Sequence, residues 1–225
     1  MKTLFIEARK KHFPEINISR LPKNIGLLYT IQYRDLFEKV KKELENQGKN
    51  IFVGKSSLAK GQIIGCNIQS ALNIENKVDC FLLISSGKFH AFSLALQLSR
   101  ILPIYIIGTG TSCSGSEVAG KIEQVPESEI ESLKKKRKAA LSKFIAADRV
   151  GIIVSTKPGQ QNLKDALKIK KKIKKAFIFI SETISIKELE NFKIDSWINT
   201  ACPGIVFDSP NIINLSEYSN IEKLK

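Results

Sequence analysis

Histidine, tryptophan and methionine are nearly missing from this chain: two His, one Trp and one Met occur in 225 residues. The two histidines, His12 and His90, are too few for a His-rich metal site. Aromatics are sparse, with 12 Phe, 4 Tyr and 1 Trp, and no base-stacking motif appears. That speaks against a dedicated reader of single-stranded RNA. Cysteine occurs four times, as Cys66, Cys80, Cys113 and Cys202, with no CxxC pair and no dense framework. Such scatter excludes a disulfide scaffold and leaves core residues, metal ligands or nucleophiles. No apolar run reaches the roughly 18 residues needed to cross a bilayer, so no membrane partner is expected. Residues 1–11 are too short and too charged for a signal peptide. A soluble, cytoplasmic protein is the expectation. Acidic residues are also in deficit, 22 Asp+Glu against 36 Lys+Arg, for a net charge of +14. That excess suits an acidic or nucleic-acid surface. It equally suits a lysine-rich, AT-coded, hot-adapted exterior.

What is present is a rhythm of short apolar runs. Residues 25–31, 50–53, 79–84 and 102–107 read as strands, with helices predicted over 32–47 and 90–100. In the first helix Leu36, Phe37, Val40 and Leu44 recur at three- and four-residue spacing, and Gly48 supplies a stop. Residues 108–128 turn polar, and a basic helix is predicted over 129–147. The rhythm then repeats: strands at 149–154, 176–180 and 194–199, helices at 161–174 and 186–192, and a final loop carrying Cys202. Strand, helix, strand in this order predicts an α/β fold of two consecutive related domains, each a small parallel sheet with flanking helices. The openings Ile25-Gly26-Leu27-Leu28 and Val150-Gly151-Ile152-Ile153 suggest a weak internal repeat. The expected division is a leading strand and connector over 1–21, a domain over 22–115 and a domain over 116–225. Residues 3–6 look like a strand without a partner in this chain, and a lone strand must join a sheet.

Four strings sit where such a fold places its chemistry, at strand-to-helix turns. They are Gly61 to Asn67 (GQIIGCN), Ser85 to His90 (SSGKFH), Ser155 to Gln160 (STKPGQ) and Thr200 to Gly204 (TACPG). From spacing alone each loop cysteine is as readily an ordinary thiol as a ligand. Lys157-Pro158-Gly159-Gln160 reads as a type II turn, with Gly159 at the position that needs positive φ. The helix after it offers backbone N–H groups to an anion, and Lys157 adds a cation. His90 is a helix-start residue or a catalyst. Cys80, inside DCFLLI, reads as core, and Cys113 as an idle linker thiol. The basic runs 134–138 and 168–175 read as solvated helix faces.

Taken in order, Gln32-Tyr33 after a strand, GQIIGCN at 61–67, FLLISSGKFH at 81–90, GIIVSTKPGQ at 151–160 and TACPGI at 200–205 resemble the 2-(3-amino-3-carboxypropyl)histidine synthases of diphthamide biosynthesis. The resemblance covers most of residues 1–208. It implies three related α/β domains, each giving one cysteine to a 4Fe–4S cluster, and S-adenosylmethionine as the second cofactor. It implies transfer of a 3-amino-3-carboxypropyl group, by a radical route, to a histidine of translation elongation factor 2. By motif Cys66 matches the middle-domain ligand and Cys202 the last-domain ligand. Gln62, Gly87, His90, Lys157, Gly159 and Gln160 fall in the loops expected to line the cofactor; no catalytic residue is assigned.

The departures matter as much as the matches. The family's first domain and its cysteine have no counterpart here, and residues 1–9 resemble only that domain's closing strand. Ala91 stands where the family often has proline. The expectation is therefore half of a split enzyme, in a homo- or hetero-oligomer, with a separate chain supplying the first domain and third cysteine. Two thiolates alone hold such a cluster poorly. A non-catalytic scaffold subunit of the same system is the first alternative. A basic RNA- or ribosome-binding module is the second, although no specific nucleic acid is expected as partner.

Overall fold

A computed structural model describes residues 4, 6–9, 21–57, 59–65, 67–108 and 121–223. It divides into two compact units, residues 2–131 and residues 132–225 with Met1. The first unit holds β1 (Asn24–Tyr29), α1 (Arg34–Asn46), β2 (Asn50–Phe52), α2 (Gln69–Leu72), β3 (Cys80–Ser85), α3 (Phe89–Gln97), β4 (Ile104–Gly108) and β5 (Ile122–Gln124). Helix α4 (Glu127–Ala146) crosses the division, and β6 (Val150–Ser155), α5 (Leu163–Lys172), β7 (Ala176–Ser181), α6 (Ile186–Leu189), β8 (Ser196–Asn199), β9 (Ile212–Asn214) and α7 (Leu215–Glu222) follow.

The strand order is β2-β1-β3-β4-β5 in the first sheet and β7-β6-β8-β9 in the second. All pairings are parallel except β4 with β5. The α/β expectation therefore holds. Side-chain alternation explains why the strands read as unbroken apolar runs. In the first unit Leu28, Phe81, Leu83 and Ile104 pack on one face with Ala91, Leu94 and Ile130. Leu27, Tyr29, Leu82 and Ile84 pack on the other with Leu36, Phe37, Val40 and Leu44 of α1. Each fully buried Leu, Ile or Phe contributes about 1.5–3 kcal/mol, and a strand covered on both faces must be apolar at every position. The second unit repeats this: Val150, Ile152 and Val154 face Ala140, Phe144, Ala166 and Ile169, while Ile153 and Trp197 face Val206 and Ile212.

Helix α1 ends as its sequence implies. Gly48 has φ +74°, its N–H donates to Glu45 O at 3.0 Å, and Lys49 N donates to Leu44 O at 3.1 Å, a Schellman stop. The internal repeat has a physical core. Gly26 lies opposite Phe81, and Gly151 lies opposite Trp197. A Cβ on Gly26 would come within 2.6 Å of the Phe81 ring, and one on Gly151 within 2.1 Å of the Trp197 ring. In both units the first strand gives up a side chain to seat a neighbouring ring.

Several sequence expectations shift. The compact division falls between Glu131 and Ser132, inside α4, whereas the composition placed it between 115 and 116. The reason is β5, which turns back to pair with β4 at Tyr105–Gln124 and Ile107–Ile122. The second sheet gains a fourth strand, β9, and a closing helix, α7, beyond the expected final loop. Of the strand expected at 3–6, Leu4 and Ile6 are described and lie in no strand, 82% and 83% exposed; residues 3 and 5, Cys66, Cys113 and most of the 7–21 connector fall outside the described residues.

Candidate functional site

In each sheet the chain leaves its first strand toward one side and later returns on the other. This makes a switch point between β1 and β3, and another between β6 and β8. Parallel sheets place ligands outside the carboxyl ends of their strands at such points. In the first unit the residue that follows β1 is tied to the end of β3 there: Thr30 N donates to Ile84 O at 3.1 Å. Gln62 is drawn to the same edge, because Tyr29 N donates to Gly61 O at 3.0 Å and Ile63 N donates to Tyr29 O at 2.9 Å. Ser70 Oγ donates to Gln62 O at 3.0 Å and fixes that strand-like piece from α2.

Two of the four expected loops meet in this unit. A Cβ on Gly65 would come within 2.5 Å of the Phe89 ring, so Gly65 rests against the start of α3. Ile64 and Asn67 exchange both backbone hydrogen bonds, at 3.1 and 3.0 Å, and Asn67 lines a shallow groove of about 480 Å³ with Ser57, Gln69 and Gln97. Gly87 has φ +75° with open space where a side chain would be, and allows the sharp entry to α3. Lys88 donates to both oxygens of Glu129, at 2.7 and 2.9 Å, and anchors the loop to α4.

Among the described residues, three buried side-chain polar atoms have no hydrogen-bond partner: Thr30 Oγ1, Gln32 Oε1 and His90 Nδ1. All three lie on the segments that follow β1 and β3. Burial without a partner pushes the His90 imidazole below its ordinary value and keeps it neutral. Buried polar atoms are nearly always paired, so three orphans together ask for an explanation. Sequence reasoning singled out His90 and quoted Gln32 only as part of a motif. Thr30 carried no signal, because missing a partner is a property of the folded state.

In the second unit the expected turn is present. Gln160 N donates to Lys157 O at 3.0 Å and Gly159 has φ +78°. Lys157 N donates to Ser155 Oγ at 3.1 Å. Lys157 and Gly159 are exposed and Gln160 is half-buried. Helix α5 begins only at Leu163, so Lys157 stands away from its N-terminus.

Cys202 follows β8 with a half-buried, free thiol. Around it lies a set of amides that the sequence reading missed. Asn199 Nδ2 donates to Cys202 O at 2.8 Å, and Asn162 Nδ2 donates to Thr200 O at 2.6 Å. Thr200 Oγ1 donates to Ile153 O at 2.7 Å. The soft donor is held on a fixed backbone, as a metal ligand requires. Cys80 is fully buried, and burial pushes its thiol up to about 12, so it is the core residue its setting implied. Among the described residues no three His, Cys, Asp or Glu side chains are placed to hold a metal ion. Cys202 fits one thiolate position and needs others. Among the described residues no helix is long and apolar enough to cross a membrane.

Comparison with known proteins gives the context. The chain is 28% identical over 211 residues to the 2-(3-amino-3-carboxypropyl)histidine synthase of Pyrococcus horikoshii, covering 90% of this chain and 56% of that protein. It is 27% identical over 192 residues to subunit 1 of the synthase of that name from Gibberella zeae, covering 83% and 39%. The chain thus spans about half the length of the curated relatives it matches. Its fold is similar to that of Dph2 from Pyrococcus horikoshii: TM-score 0.72 at 25% identity in one crystal structure, covering 91% of this chain and 59% of that one. A second crystal structure, with a 4Fe–4S cluster, gives TM-score 0.71 at 24% identity and covers 91% and 58%. A model of the diphthamide synthesis proteins matches residues 2–219, and the chain belongs to that family.

Proposed function

We propose that this chain forms part of the 4Fe–4S enzyme that transfers a 3-amino-3-carboxypropyl group from S-adenosylmethionine to a histidine of elongation factor 2. The observation that carries the reading is Cys202: a free, half-buried thiol on a hydrogen-bonded turn at the carboxyl end of β8. Cys66, in the matching string of the first unit, is the second proposed thiolate. The cluster, when bound, would supply the iron and the electron that break the sulfonium C–S bond of S-adenosylmethionine. The chain's own residues would bind, orient and exclude water.

In the first unit Thr30 Oγ1, Gln32 Oε1 and His90 Nδ1 suit a donor-rich group such as the cofactor's ammonium. Gln32 Oε1 accepts only, and the neutral imidazole leaves one nitrogen to accept. Gln62 and Gly87 belong to the same strand edge. In the second unit the exposed Lys157, with Gly159 and Gln160, suits a carboxylate. A separate chain supplying the first domain and the third thiolate is the proposed partner, with the cytoplasm as the compartment.

Anaerobic reconstitution with iron and sulfide, followed by reduction with dithionite, tests the reading, with and without the N-terminal portion of the archaeal relative. A paramagnetic cluster signal that depends on the added portion, and is lost in both Cys66→Ala and Cys202→Ala, is the expected result. Full cluster content in both variants would remove the ligand assignment.

A further inference from the structure

The backbone of Cys202 is reached by one continuous hydrogen-bonded path from four elements. Arg137 of α4 is only 5% exposed and forks onto Glu217 of α7, Nε to Oε1 at 3.0 Å and Nη2 to Oε2 at 2.6 Å. Its N–H groups also reach the carbonyls of Val206 at 3.3 Å and Ile212 at 2.8 Å. Glu217 Oε2 accepts from Asn214 N at 2.7 Å. Asn214 Oδ1 accepts from Asn199 Nδ2 at 2.8 Å, and Asn214 Nδ2 donates to Pro203 O at 3.3 Å. Asn199, 1% exposed, completes the path: Nδ2 donates to Cys202 O at 2.8 Å and Oδ1 accepts from Ala201 N at 2.9 Å.

An ordinary turn closes on backbone bonds and needs no such support. A buried charge and a buried amide are costly unless every group is satisfied. When all are satisfied, they select a single conformation. With the backbone fixed on both sides, a cysteine sulfur is limited to the few staggered positions of one torsion. A metal ligand must be held to within about half an ångström.

We infer that the path Arg137–Glu217–Asn214–Asn199 is a positioning frame that presents the Cys202 thiolate to iron. It deepens the proposed function and rests on Cys202 being a ligand. Their role is to position the ligand, not to bind the cofactor or the substrate. They act through the backbone of residues 201–203.

The full chain provides the test. Asn199→Asp is isosteric, keeps the acceptor for Ala201 N and removes both donations. Asn214→Asp keeps the acceptor for Asn199 and the cap of α7, and serves as the conservative control. The first readout needs no cluster: a pulse of iodoacetamide, with peptide mass spectrometry giving the alkylation rate at Cys202 and at buried Cys80. The second is iron content after reconstitution with ferrous iron, sulfide and dithiothreitol in the presence of the N-terminal portion of the archaeal relative.

Asn199→Asp is expected to speed Cys202 alkylation about tenfold, the factor that losing two hydrogen bonds gives a local opening. Cys80 stays protected and bound iron falls. Asn214→Asp stays within about twofold of wild type, having lost one long bond. Wild-type alkylation and wild-type iron in Asn199→Asp would overturn the frame. If Cys80 also becomes reactive, the variant has opened globally, and Arg137→Lys, which removes the fork at the far end, decides by the same criteria. Equal iron in wild type and Cys202→Ser would instead overturn the ligand reading, and the frame's role with it.

Discussion

At the scale of single residues, His90 and the two strand glycines give measurable consequences. The His90 ring is held neutral by burial, below its ordinary value of 6.5. In the unfolded chain the same ring takes up a proton near that pH. The unfolded state therefore binds more protons, and stability falls as pH drops below about 6.5. His90→Asn should flatten the urea midpoint against pH over that acid range, and an unchanged slope would show that the ring does not titrate differently on folding. The glycines test packing. Gly151→Ala drives a methyl into the Trp197 ring, which a Cβ would approach to 2.1 Å. Overpacking of this kind costs about 1–3 kcal/mol. Urea denaturation should show that loss, and Trp197→Leu in the same chain should restore part of it.

Elements differ in how much of them the sequence discloses. Strands β1, β3 and β6 are buried at nearly every position, so their apolar runs announced them, whereas β8, SWIN, is as buried with Ser196 and Asn199 at its ends. Strand β5 is three residues, IEQ, half-buried at best, and its pairing with β4 is a long-range event that leaves no local pattern. Helix α7 did carry a signal: Asn214 followed three positions later by Glu217 is a capping box, and both of its hydrogen bonds are made. The candidate site was legible where chemistry is local, as in the Lys157–Gln160 turn. It was illegible where partners are distant: Asn199 and Asn214 are ordinary polar letters until the sheet brings them together.

Two predictions belong to this scale. Arg137 joins α4 to α7 and to the carbonyls beside β9, so Arg137→Met strands a partly buried carboxylate and should cost about 2–3 kcal/mol in denaturation experiments. Strand β7 is an uncharged edge of the second sheet, with Phe177 48% and Ile180 56% exposed. Ile180→Lys should leave the unfolding midpoint nearly unchanged and reduce light scattering at high protein concentration, because a charge on an edge strand blocks further pairing.

For the whole molecule, the dominant global quantity is the charge of +14. A surface of that sign binds any polyanion at low ionic strength and releases it as salt rises. Filter binding with an unrelated RNA should therefore show affinity that collapses between about 50 and 200 mM salt. Tight, sequence-dependent binding that survives such salt would revive an RNA-binding role. The same net charge is compatible with an acidic protein surface as partner, and fixes none.

The paired seats of Gly26 under Phe81 and Gly151 under Trp197 also constrain the order in which each half can change. A larger side chain on the strand becomes tolerable only after the ring beside it has shrunk, never before. Inheritance in either half is thus ordered: the aromatic must be surrendered first, and a lineage that still keeps its ring should be found keeping its glycine.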